Sequence, residues 1–357
     1  FFFKQKTAYE IRNCDWSSDV CSSDLGDFTG QLFIHAIGAT GHDVVKYALD
    51  TYGDDADLLS CTHDANAWPS DLYAGLPAPA NGEKVVLWVQ NSHPCPIPAG
   101  DIGLNRMGEN AVATLETEVA PYATCALDVA ALLPGLAWPD QIEIRAGKHV
   151  VRPRYEIKAD SGDYRIAHPN VERVDLKPDP GIAEYGNMLG KGYILPAPIL
   201  PMDRFSSLTL PTPMSTAQNE LPVAVIALDP EGNEIARKAL GKLPRNHAVT
   251  LDAGELMNGA APAAGYGHME LVYDFSDGGE ADGWLHGLFR YRNIETGNAA
   301  ETSFGAHIFN MVMTYRNEPQ SYTGAAPGLS TRLFLRLGDA PHDTLCHLIY
   351  PASTPWH

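Results

Sequence analysis

Four side chains near the start of the chain are of kinds that bind zinc: Cys61 and His63 in Cys61-Thr-His63-Asp64, and His93 and Cys95 in His93-Pro-Cys95. On an extended strand residues i and i+2 share a face, so Cys61 and His63 would point the same way, and thiolate with imidazole suits zinc. The spacing matches neither C-x-x-C nor H-E-x-x-H, and Pro94 breaks the extended geometry that His93 and Cys95 would need. These four are the metal candidates; the plainer expectation is a loop histidine and a buried thiol. Reading Cys61, His63 and Asp64 as nucleophile, base and orienter fares worse, because triad groups converge from different elements.

Gly38-Ala-Thr-Gly41 could hold a pyrophosphate at a helix N-terminus, but the third glycine of the dinucleotide fingerprint is missing and Asp43 would oppose the phosphate. A tight turn explains it better. Arg152, Arg154, Arg290 and Arg292 recur at i, i+2 beside Tyr155 and Tyr291, and same-face arginines can fork onto a carboxylate or phosphate. Because Arg154-Tyr155 and Arg290-Tyr291 fall at matching places in two blocks, a structural role is expected, with Glu143 and Glu270 as partners across a sheet. Asp274–Trp284 is acidic and glycine-rich but lacks the offsets of a calcium loop, and reads as a solvated hairpin connection. Trp284, His286 and Tyr315, near Glu301–Asn310, mix aromatic and polar groups as sugar-binding surfaces do. With Arg154 and Arg290 they form the candidate binding set.

The elements that would position these groups read as mainly β. Proline- and glycine-rich stretches at Leu76–Gly82, Leu195–Met214 and Glu318–Gly328 read as loops or linkers, and β-rich runs follow at Lys84–Gln90, Leu221–Leu228 and Thr331–Leu337. Ala126–Leu133 then corresponds to Thr250–Met257, each with an aspartate (Asp128, Asp252) placed to cap a short helix, and Gln141–Ile144 to His268–Leu271. Val151–Glu156 corresponds to Leu288–Arg292. This order describes an internal repeat of about 110–135 residues, expected as two superposable antiparallel sandwiches of equal strand order. Ahead of them, Leu32–Ala36, His42–Tyr52 and Asp57–Cys61 read as strand, helix and strand, a partial α/β (βαβ-like) segment.

The expected organisation is therefore residues 26–75 as that partial segment, 84–194 as the first β-sandwich module, 215–317 as the second, and 329–357 as the start of a third. Residues 1–25 stand apart. Lys4–Ile11 (KQKTAYEI) and Cys14–Leu25 (CDWSSDVCSSDL) resemble the two halves of a translated short-read sequencing adapter, with Arg12 and Asn13 where the index would fall. The segment is expected to be an artefact that packs against nothing, and the chain to be truncated at both ends.

Setting that segment aside moves the net charge only from −19 to −18, since three cations and four anions leave with it. So acidic a chain argues against a nucleic-acid partner, whose binding is driven by lysine and arginine. Four cysteines remain, too few for a disulfide scaffold, although a Cys61–Cys95 bridge would fit an oxidising compartment. No apolar run approaches the roughly 18–20 residues of a membrane helix. The leading expectation is a non-catalytic multi-module β-sandwich protein for binding or display, associated with a glycan or with the cell surface and needing no cofactor. The alternative is accessory modules of an enzyme, a zinc hydrolase or nucleotide-sugar enzyme, whose catalytic domain lies upstream.

Overall fold

The computed structural model describes residues 2–4, 8–10, 32–33, 46–55, 58–65, 69–185, 196–307 and 345–349. The protein is mainly β and divides into two units, Phe1–Val171 and Glu172–His357.

In the first unit, β1 (Phe2–Lys4) pairs antiparallel with β2 (Ala8–Glu10) and with β3 (Leu32–Phe33). The expectation that residues 1–25 pack against nothing therefore fails at these strands. Runs such as Phe-Phe-Lys and Ala-Tyr-Glu contain good strand formers and pair readily when a partner edge is near. Next come β4 (Lys46–Tyr52) and β5 (Leu59–Ala65), one antiparallel hairpin. The helix expected over His42–Tyr52 is thus corrected to strand wherever it is described. Leu49 and Thr51 are partly buried while Asp50 and Tyr52 are exposed, a period of two that the i, i+3 spacing of Leu49 and Tyr52 concealed.

The hairpin docks on the sandwich that follows. Asp54 N–H donates to Gly162 O at 3.0 Å, and a Cβ at Gly53 would lie 2.3 Å from that same carbonyl, so only glycine admits this approach. The sandwich comprises β6 (Leu72–Pro77), β7 (Glu83–Gln90), β8 (Gly103–Arg106), β9 (Ala113–Thr114), β10 (Thr124–Asp128), α1 (Val129–Leu132), β11 (Gln141–Arg145), β12 (Arg154–Ala159), β13 (Tyr164–Ala167) and β14 (Asn170–Val171). One sheet has the order β10-β7-β12-β13, the other β14-β6-β11-β8-β9. Val85, Leu87, Tyr155 and Ile157 from the first meet Tyr73, Leu104, Ile142 and Ile144 from the second in one apolar core.

The second unit repeats this plan. Its elements are β15 (Pro196–Ile199), β16 (Phe205–Pro213), β17 (Glu220–Leu228), β18 (Glu234–Pro244), β19 (Leu251–Asp252), α2 (Ala253–Leu256), β20 (Gly267–Tyr273), β21 (Trp284–Asn293) and β22 (Ala299–His307). The sheet orders are β19-β16-β21-β22 and β15-β20-β17-β18. Taken in chain order, β6 to β13 with α1 map one to one onto β15 to β22 with α2, and both sheet orders agree; β14 alone has no counterpart. In each copy the chain changes sheet at every connection except two hairpins, β8–β9 and β12–β13 in the first and β17–β18 and β21–β22 in the second.

Equal strand order is present, but the expected matching of its opening strand is corrected. Residues 83–90 correspond to 205–213, not to 221–228. Leu76–Gly82, expected as a linker, holds the end of β6, and Leu195–Met214, expected likewise, carries β15 and β16. Proline is tolerated there because β15 is an edge strand, and because β16 pairs with β19 only at Leu208 and Thr209, leaving that side of Pro211 and Pro213 outside the ladder. The first sandwich accordingly begins upstream of residue 84, and the second takes in two strands ahead of residue 215. The run expected to open a third module, Thr331–Leu337, lies outside the described residues, as does Glu318–Gly328. No helix among the described residues is long and apolar enough to cross a membrane.

Candidate functional site

The candidate binding residues Trp284 and His286 sit together on β21, their rings 5.4 Å apart and tilted by 30°. What holds the strand start is Asp282, whose carboxylate accepts the Trp284 N–H at 2.8 Å and the Tyr273 hydroxyl at 3.2 Å. Burial pushes the Asp282 carboxyl above its ordinary value, and burial followed by the Asp282 charge pushes the Tyr273 hydroxyl well up. The connection before it, expected as a hairpin, instead carries the chain from one sheet to the other. Over the Trp284 ring lies the Arg173 guanidinium, 4.8 Å from its centre and forked onto Asp175 at 2.7 and 2.5 Å. That tryptophan face already has a cation on it.

Arg290, also on β21, donates to Glu301 of β22 at 2.7 Å, and both side chains are buried. Arg154 on β12 donates to the carbonyls of Val151 and Arg152. The partners expected for these arginines, Glu143 and Glu270, stand on β11 and β20 in the opposite sheets, so the expectation is corrected. Glu143 instead meets Asn105 at 3.4 Å and Arg145 at 3.5 Å, and Glu270 meets His268 at 3.5 Å. The Arg-Tyr match itself is offset by two residues. Val86 pairs with Asp128 and Glu156, and Leu208 with Asp252 and Arg290, which makes Glu156 the counterpart of Arg290 and Tyr155 that of Phe289. Tyr315 lies outside the described residues.

Of the metal candidates, Cys61 and His63 lie on β5, while His93 and Cys95 lie in the loop after β7. Cys61 and Cys95 are exposed thiols not bridged to one another, and the His63 ring sits 5.4 Å from that of His168, edge on. Among the described residues no group of three or more His, Cys, Asp and Glu side chains is arranged to hold a metal. Gly38–Gly41 falls outside the described residues.

A second polar surface went unnoticed in the sequence. On the outward face of β10-β7-β12-β13, Trp88 Nε1 donates to Glu156 Oε2 at 3.1 Å, and Lys158 Nζ lies 3.4 Å from Glu156 Oε1. Lys158 also stands 5.1 Å from the centre of the Tyr164 ring, and Lys84 pairs with Asp128 at 2.9 Å. The Lys84 hydrogen bond pulls the Asp128 carboxyl below its ordinary value, while a hydrogen bond to Asp54 in the docked hairpin raises the Tyr164 hydroxyl. Strand geometry turns Val85, Leu87 and Val89 into the core and Lys84, Val86, Trp88 and Gln90 outward, but the continuous apolar run Val85–Val89 does not mark which set faces out.

Fold and surface together define a tandem antiparallel β-sandwich protein. No family model matches the chain, and no curated protein matches it. Among solved structures it is similar to the BSP domain of a biofilm-associated protein, with 9% identity, a TM-score of 0.20, and coverage of 80% of this chain and 65% of that one. It is also similar to a Ruminococcus gnavus β-glucuronidase, with 12% identity, a TM-score of 0.15, and coverage of 77% and 45%. The chain thus spans less than two thirds of either protein.

Proposed function

We propose that this is a non-catalytic, multi-module β-sandwich protein that binds or displays, with a glycan or another protein at a cell surface as its ligand. The observation supporting this reading is the duplication. One eight-strand plan is used twice in succession, and in the second unit Arg290 is spent on Glu301 and Arg173 on Asp175. A repeated rigid module spaces and presents surfaces. Catalysis asks instead for a convergent set of activated groups.

The test is saturable binding of the purified chain to glycan arrays and to intact cells by flow cytometry, run beside hydrolysis assays on ester and glycoside substrates with added zinc. Saturable binding without turnover is the expected result. Turnover that a chelator abolishes would overturn the proposal in favour of an enzyme.

A further inference from the structure

We infer that the outward face of the sheet β10-β7-β12-β13 is the docking surface of the first sandwich, and that its occupant is an uncharged glycan. This deepens the binding reading above and rests on it. The first ground is the comparison of the two copies. With the register fixed by Val86 and Leu208, Trp88 corresponds to Leu210, Arg154 to Leu288 and Tyr164 to Ala299. Leu210 and Leu288 are 0% and 1% exposed, whereas Trp88, Arg154 and Tyr164 are partly exposed. The plan therefore folds with small or aliphatic residues at these places, and the two aromatic rings of the first copy are not demanded by the sandwich.

The second ground is how the rings are held. Tyr164, Lys158, Glu156 and Trp88 form a continuous chain of contacts, so both rings are fixed before any ligand arrives. Binding then costs little further side-chain entropy. Trp88 presents a flat surface that accepts the C–H face of a sugar ring, Tyr164 with Lys158 over its ring borders it, and ionised side chains form the stronger hydrogen bonds with hydroxyl groups.

Charge selects among glycans. Lys84 is matched by Asp128 and Lys158 by Glu156, while Arg154 beside Trp88 and Asp54 beside Tyr164 add one charge of each sign, so the face is balanced. A phosphate or uronate would have to displace these carboxylates from their cations, whereas a neutral sugar uses donors and acceptors as they stand.

The experiment is affinity electrophoresis of the full chain through gels containing xylan, mannan, mixed-linkage β-glucan or α-glucan, with polygalacturonate as the anionic comparison. Trp88→Leu and Tyr164→Ala install residues that the second copy already carries at these positions, and thermal unfolding verifies that both variants fold. Retardation by at least one neutral polysaccharide is expected, weakened about tenfold or more in Trp88→Leu and several-fold in Tyr164→Ala. It should change little in ~0.5 M NaCl. Retardation by a neutral glycan that Trp88→Leu leaves intact would overturn this face while sparing glycan binding. Salt-sensitive retardation by polygalacturonate alone would overturn the uncharged occupant. No retardation by any of them would overturn the inference, and the cell-binding assay then judges the broader proposal independently.

Discussion

The buried polar residues of the second unit show what single side chains contribute. His247 is 6% exposed, and its Nδ1 accepts the Val249 N–H at 3.1 Å, which fixes it as a neutral imidazole. Burial lowers its pKa from 6.5 to about 4. Between those values the unfolded chain binds a proton that the folded chain refuses, so stability is full above pH 6.5 and is lost as pH falls toward 4. The ceiling on this loss is about 3 kcal/mol. Asp282 acts in the opposite sense, because its raised pKa means that acidification relieves a buried charge. Urea unfolding of the protein and of His247→Asn at pH 7, 5.5 and 4.5 isolates the imidazole, since the asparagine oxygen can still accept the Val249 N–H. The variant should lose less stability on acidification, by up to about 3 kcal/mol. Identical pH slopes would exclude His247 as the titrating group.

At the scale of elements, local signals were legible at the caps and at several strands but not at His42–Tyr52 or Leu195–Met214, and non-local ones were poorly legible throughout. Asp128 and Asp252 were legible as caps, and each accepts a backbone N–H two residues on, from Ala130 at 3.1 Å and Gly254 at 2.7 Å. Replacing either by alanine should cost about 1 kcal/mol, read from the urea midpoint. Asp128→Asn should lose less, keeping the cap while dropping only the part-exposed pair with Lys84. Two alanine variants as stable as the parent would mean the caps contribute nothing. Strand identity over 84–90, 141–144 and 221–228 was likewise readable from runs rich in Val, Ile and Leu. Which strand pairs with which was not. Because the chain changes sheet at most connections, Glu143 and Arg154 stand close in sequence yet in opposite sheets. The same ignorance of pairing hid the Trp88 face, since Trp88, Glu156 and Tyr164 meet only once β7, β12 and β13 are side by side.

At the scale of the molecule, each unit carries its own core. The buried cluster of the first runs from Tyr73 to Ala167 and that of the second from Ile182 to Phe289, with no residue in common. A fragment spanning 69–171 and another spanning 172–307 should therefore each unfold cooperatively on heating. Among the described residues, the strands of residues 1–25 pair with each other and with Leu32–Phe33. Removing them forfeits these short backbone ladders, so a chain beginning at Gly26 should melt within about 2 °C of the full chain. Calorimetry on the three shortened chains decides both points. A drop of many degrees on removing residues 1–25 would show that this segment is built into the first unit. A non-cooperative melt of either fragment would show that its cluster cannot stand as a core by itself, and that the duplication marks a shared pattern of strands rather than two folding units.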